Sequence, residues 1–184
     1  MFDAAEAYDR FMGRYSTPLA PQFASFAGVQ AGQRVLDVGC GPGALTTEIV
    51  KRVGVQGTVA VDPSAPFVAA AASRHPGVEV RIASAEKLPF DDDSFDAVLA
   101  QLVVHFMADP VEGLGEMRRV TRTDGIAAAC VWDHGGGGGP LALFWQAARA
   151  VDRDVDDESE RPGTHEGQLA DLFAAAGFDQ IERA

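Results

Sequence analysis

Asp37, Gly39, Gly41 and Gly43 stand at every second position of the run RVLDVGCGPG, so one carboxylate and three residues without side chains meet at a single point of the chain. Val35, Leu36 and Val38 form a short apolar run of strand character around the acid. The spacing predicts a buried strand ending in a tight turn, because glycine takes positive φ and lets a ligand approach the main chain without meeting a Cβ. Asp37 is then expected at the strand end, its carboxylate facing that ligand. The dinucleotide fingerprint G-x-G-x-x-G would set a pyrophosphate on the next helix. Here the third glycine comes one residue early, residue 44 is Ala, and a carboxylate aimed at a pyrophosphate would be repelled. A ligand with a cationic end has the opposite preference. The plainer alternative is a turn that only joins a strand to a helix.

The residues D-V-G-C-G-P-G resemble motif I of the class I S-adenosylmethionine (SAM) dependent methyltransferases. That resemblance implies that Asp37, Gly39, Cys40, Gly41 and Gly43 cradle the amino-acid portion of the cofactor. Residues 58–61 read as a second β-branched strand ending in Asp62, about 20 residues beyond the glycines, where a ribose-binding acid belongs in such a fold. Asp62-Pro63-Ser64 then opens a helix through Arg74, with Ser64 as its N-cap. Asp62 acting only as a helix cap is the alternative.

Residues 78–83 read as a third strand, followed by Ser84, Ala85 and Glu86 in S-A-E-K-L-P-F. The small-molecule branch of the family commonly has G-D-A-x-x-L-P-F here, with the acid on the adenine amino group. Ser84 replaces that acid. Its hydroxyl can accept the same hydrogen bond without charge assistance, and Ala85 and Glu86 are expected to share the recognition. The fourth strand, residues 95–100, runs into Gln101 and Leu102, which the resemblance also assigns to the cofactor edge, and then to His105. The block D-S-F-D-A-V-L carries the resemblance most strongly. No D/N-P-P-Y/F motif of amino-methyltransferases follows this strand, and neither Cys40 nor Cys130 has the setting of a cytosine-methylating nucleophile. A helix from Leu114 is expected to end near residues 123–125, before a fifth strand at 126–131.

Strands alternating with helices from Arg34 to Val131 imply an α/β fold, a doubly wound, mostly parallel sheet in three layers with a Rossmann-like methyltransferase topology. Right-handed crossovers place Asp37, Asp62, Ser84 and Gln101 along one edge. Three parts are expected: an N-terminal helical lid over residues 1–30, a SAM-binding core over 31–133, and a substrate-side segment over 134–184. In the first, the run from Tyr8 to Tyr15 resembles the lid helix of the ubiquinone and menaquinone pathway C-methyltransferases. Tyr8 and Tyr15 would meet the methionine end and Arg14 its carboxylate; an amphipathic helix on the sheet edge is the alternative.

In the last part, the five glycines 135–139 predict a mobile loop. A helix over 141–151 carries Phe144 and Trp145 as an apolar substrate cap or as ordinary core. Residues 152–160 read as an acidic connector, and Thr164 as the cap of a helix over 166–176 ended by Gly177. Residues 178–183 read as the start of a sixth strand, with the family's antiparallel C-terminal strands incomplete. Truncation, completion of the sheet by another chain such as a homodimer partner, or a compact variant would each account for this.

Composition narrows the partners. The chain has 184 residues, 47% of them hydrophobic, which suits one domain with a sizeable core. A net charge of −12 without a basic cluster disfavours nucleic acid and anionic membranes. The first residues lack the basic and apolar regions of a signal peptide, and two isolated cysteines suit a reducing cytoplasm without a metal site. A small-molecule methyl acceptor is expected, methylated by SN2 displacement with S-adenosylhomocysteine as product. Alignment would supply most of the acceleration. His105 is the expected general base where one is needed, unless it only lines the pocket; His134 ranks below it, and His75 and His165 read as surface positions. A non-catalytic SAM-binding protein, a truncated methyltransferase with little turnover, and an NAD-dependent oxidoreductase are the alternatives.

Overall fold

The computed structural model describes residues 8–152, 155, 158 and 160–183. Three strands, β1 (Val35–Val38), β2 (Thr58–Asp62) and β4 (Phe95–Gln101), are buried at every residue, as parallel strands covered on both faces must be. With β3 (Glu79–Ile82) and β5 (Thr121–Cys130) they form a five-stranded, all-parallel sheet in the order β3-β2-β1-β4-β5. Sequence neighbours separate at β1 and β4, so the crevice outside the strand ends opens there. Registers such as Val38 opposite Val61 and Asp37 opposite Leu99 bring the ends of β1, β2 and β4 level.

Alternation of side chains along the strands divides the core in two. Leu36, Val38, Val59, Val61 and Val98 face Leu114, Met117 and Val120 of α4 (Pro110–Val120) and Phe173 of α6 (Gln168–Ala175). On the other face, Val35, Ala97 and Leu99 pack against Ala20, Phe23 and Ala24 of α1 (Arg14–Phe26) and Leu45 and Ile49 of α2 (Ala44–Val53). The remaining helices are α3 (Ala65–Arg74) and α5 (Ala142–Val151). A π-helical turn, Asp9–Gly13, leads into α1. The first seven residues of the expected lid and most of the expected acidic connector lie outside the described residues.

Four expectations change. The helix α4 stops at Val120, and the residues of the expected turn belong to a bulged start of β5, where the register slips from Phe95 opposite Thr121 to Ala97 opposite Ile126. Asp124 there has φ of 64°. Thr164 does not cap α6: its hydroxyl donates to Arg161 O at 2.7 Å, and Gly167, at φ of 84°, stands at the N-cap instead. Residues 178–183 form no strand, so the sheet ends at β5; Phe178 turns its ring onto Phe173, 4.9 Å away. The glycine run is not an open chain. Gly136 N–H and Gly138 N–H donate to the Asp133 carboxylate and carbonyl, at 2.7 and 2.8 Å, and Gly135 N–H donates to Thr164 O at 3.0 Å.

Gly177 does end α6, with its φ of 89° and a Phe178 N–H bond back to Phe173 O at 3.1 Å. No helix among the described residues is long and apolar enough to cross a membrane. Leu114 is fully buried between the sheet and α6. Leu114→Ala should therefore lower unfolding free energy by about 2–5 kcal/mol, read as a lower midpoint at unchanged slope in urea denaturation.

Candidate functional site

The glycine loop hooks over the end of β2. Gly39 N–H and Cys40 N–H both donate to Val61 O, at 2.8 and 2.9 Å. Gly39 is obligatory on packing grounds as well as by its φ of 70°: a Cβ there would lie 2.5 Å from Val103, just past β4. Gly41 differs, since a Cβ would meet nothing within 4 Å, so its main chain faces open space. Its N–H donates to Asp62 Oδ2 at 2.9 Å.

Asp62 Oδ1 accepts from Ser64 N–H at 2.8 Å, so one carboxylate holds the loop and starts α3. Ser64 occupies the N-cap, yet its hydroxyl makes no capping bond; Asp62 does that work across Pro63. Each carboxylate oxygen keeps a further lone pair for a ligand hydroxyl. Burial raises the Asp62 pKa against the lowering effect of those two N–H donors. The far end of α3 returns to the same loop. Arg74 donates to Pro42 O at 3.0 Å and pairs with Asp9, while His75 Nε2 lies 3.2 Å from Thr47 Oγ1 and 3.3 Å from Gly43 O. His75 is thus part of the loop's support rather than a surface position. Only a basic pair at a helix end signalled this.

Asp37 is turned under α2, not outward. It is 1% exposed and accepts from Thr46 Oγ1 at 2.6 Å. Its side chain shares the strand face of Val35, two residues away, and so points at that helix. Burial pushes its pKa up to about 7, with Asp62 adding to the rise and Thr46 opposing it.

The β4 end supplies further acceptors. Gln101 Nε2 donates to Ser16 O of α1 at 3.0 Å, leaving Gln101 Oε1 and Ser16 Oγ buried without partners. Leu102 has φ of 62°, a strained conformation held by its N–H on Cys130 O at 2.9 Å. Tyr8 stacks edge-on against Phe67 at 5.3 Å, and its hydroxyl pKa is raised by burial and by the neighbouring Asp62. Tyr15 lies 5.7 Å from Trp132. Arg14 is not brought in: its exposed guanidinium donates to Phe11 O and Arg10 O, each at 3.2 Å. Ala85 joins the core, Ser84 O accepts from Lys87 N–H to form a turn, and Glu86 accepts from Ala108 N–H at 2.8 Å. Glu86 thereby ties the loop after β3 to the loop after β4.

Cys40 and Cys130 both have raised thiol pKa values from burial, Cys130 up to about 12, so neither offers a thiolate. His105 is 2% exposed, with both ring nitrogens unpartnered. Burial, then His134 and Arg161, lower its pKa to about 4.

A family model described as a methyltransferase domain matches residues 36–129, from β1 through β5. The chain belongs to the methyltransferase domain family. This methyltransferase domain is 38% identical over 130 residues to an uncharacterized methyltransferase of Mycobacterium bovis, covering 71% of this chain and 50% of that protein. A SAM-dependent methyltransferase of Thermotoga maritima matches at 25% identity and TM-score 0.64, covering 94% of this chain and 80% of that one. A SAM-dependent methyltransferase of Aquifex aeolicus, at 22% identity and TM-score 0.72, covers 96% and 89% respectively and supports the fold. The chain spans about half the length of the curated relatives it matches first. The Rossmann-like, class I fold expected from the sequence is the one observed.

Asp37 sets a pH dependence. In the folded chain it keeps its proton up to about 7, whereas the unfolded chain releases it near 3.8. Between those values the folded state binds more protons, so this carboxyl makes stability fall as pH rises. Asp37→Asn should therefore gain stability relative to the native chain from the acid to the neutral end of that interval. Urea unfolding at both ends tests this; a pH-independent difference would refute the assignment.

Proposed function

We propose that this domain binds SAM across the crevice outside β1, β2 and β4 and directs its methyl group to a small-molecule acceptor. The observation that carries the reading is the chemistry of the site's polar atoms. The Asp62 carboxylate with its spare lone pairs, the unpartnered Gln101 Oε1 and the unpartnered Ser16 hydroxyl stand at the ends of β2 and β4 with the bare Gly41 main chain, while Asp37 stays turned under α2. Such a set suits a cationic amino-acid end and ribose hydroxyls, and repels a pyrophosphate.

In this reading Asp62 takes the ribose hydroxyls through its remaining lone pairs, and residues 84–86 border the adenine. Tyr8 closes over the Asp62 side, held by the Asp9 to Arg74 pair. SAM supplies an already electrophilic sulfonium methyl, so the chain's work is orientation and exclusion of water. His105, with its pKa lowered to about 4, is too weak a base for proton removal at neutral pH and stays buried behind the site. A net charge of −12 favours a small acceptor over nucleic acid.

Calorimetric titration with S-adenosylhomocysteine, with NAD as control, tests the cofactor assignment. Saturable binding of the first alone is expected, weakened about tenfold or more by Asp62→Ala, a loss of at least about 1.4 kcal/mol. A folded chain that binds neither, or binds NAD, would defeat the proposal.

A further inference from the structure

Beyond the strand ends lies a cavity of about 320 Å³ lined by His134, Gly139, Ala142, Leu143, Trp145 and Arg149. Its size is that of a single substituted ring. Four polar atoms near it are buried without hydrogen-bond partners: Trp145 Nε1, His134 Nε2 and, behind them, the two His105 ring nitrogens. Trp145 lines the cavity with its indole and Arg149 with a cationic side chain.

The geometry points to this cavity as the methyl-acceptor subsite, with His134 as the base that takes the proton of a phenol-class acceptor and Glu158 as its positioning residue. This rests on the methyl-transfer reading above. The His134 side chain is only 7% exposed, and its Nε2 faces Glu158 Oε2 at 3.7 Å. Its Nδ1 is turned to the cavity side, where a methyl group on Gly139 would collide with it. With the ring proton on Nε2 toward the carboxylate, the Nδ1 lone pair is directed at the acceptor, and Glu158 stabilises the imidazolium that forms. Arg161 Nε, 3.9 Å from Glu158 Oε1, steadies that carboxylate. The His105 ring, 5.9 Å from His134, packs edge-on against it and has its pKa lowered to about 4 by burial. His105 follows β4 and His134 follows β5, so the pair leads from the cofactor crevice to the cavity.

The lining selects the acceptor class. Arg149 repels an ammonium and attracts a developing oxyanion. A phenol, with a pKa about 10, lies within reach of an imidazole base, and its flat ring suits the indole. In the step, the phenol oxygen forms its bond to the methyl carbon as the carbon–sulfur bond breaks. The electron pair stays on sulfur and the phenol proton on His134 Nδ1.

The probe is 4-nitrophenol, whose ionised form absorbs in the visible, titrated into the 184-residue chain with and without S-adenosylhomocysteine. The native chain should bind it as phenolate at a pH where the free compound is largely protonated. His134→Gln should still bind it but with about tenfold less phenolate at fixed pH, and Glu158→Gln should shift it the same way. Trp145→Ala should weaken binding about tenfold, through loss of the ring that lines the cavity, while leaving the phenolate fraction of bound probe unchanged. No binding by the native chain, or equal phenolate in native and His134→Gln chains, overturns the inference. Calorimetry of S-adenosylhomocysteine on the same samples reads the cofactor assignment separately, so failure of one is distinguished from failure of the other.

Discussion

The Asp62 carboxylate is the joint on which the site is built. Its two oxygens hold the Gly41 N–H of one loop and the Ser64 N–H at the start of α3. A carboxylate bonded by N–H groups makes charge-assisted bonds about twice as strong as neutral ones, which fixes both segments to the end of β2. The helix it starts then carries Arg74 and His75 back to Pro42 and Gly43, closing a ring of contacts around the glycine loop. Position 62 therefore acts on the loop from both ends of α3. In the proposed function the same residue also serves a ligand, so the shape of the turn and the recognition of the cofactor share one group.

What the sequence revealed and what it hid divide along physical lines. The β1, β2 and β4 strands were legible because strands buried on both faces must be apolar throughout, and the glycines because a Cβ at Gly39 has nowhere to go. Period-two alternation also contained the orientation of Asp37, since it shares a face with Val35, but the proximity of a ligand motif argued for the opposite direction. Contacts formed by residues distant in sequence were not legible. Nothing in the spacing of His75, or of Gln101 and Ser16, 85 residues apart, marks them as neighbours of the loop or of one another.

The C-terminal third departs furthest from expectation, and for a common reason. Glycine runs and isolated aromatic residues carry little periodic signal, so their structure depends on partners elsewhere: Asp133 and Thr164 for the glycines, Phe173 for Phe178. The helix α5 buries none of its residues, leaving Leu143 82% and Val151 92% exposed. Its aromatic pair Phe144 and Trp145 is thus neither conventional core nor a lid lying flat on the sheet, and the indole borders a cavity instead.

The protonated state of Asp37 carries one more consequence. A buried carboxyl whose pKa burial raises to about 7 spares the fold an isolated charge below that pH, and ties the charge behind the glycine loop to the solvent's acidity. Filling the crevice with a cationic group would then expel a proton, and the measured heat of capture would vary with the ionisation enthalpy of the buffer. The domain would behave as a small proton exchanger, coupling occupancy of its glycine loop to the acidity of its surroundings.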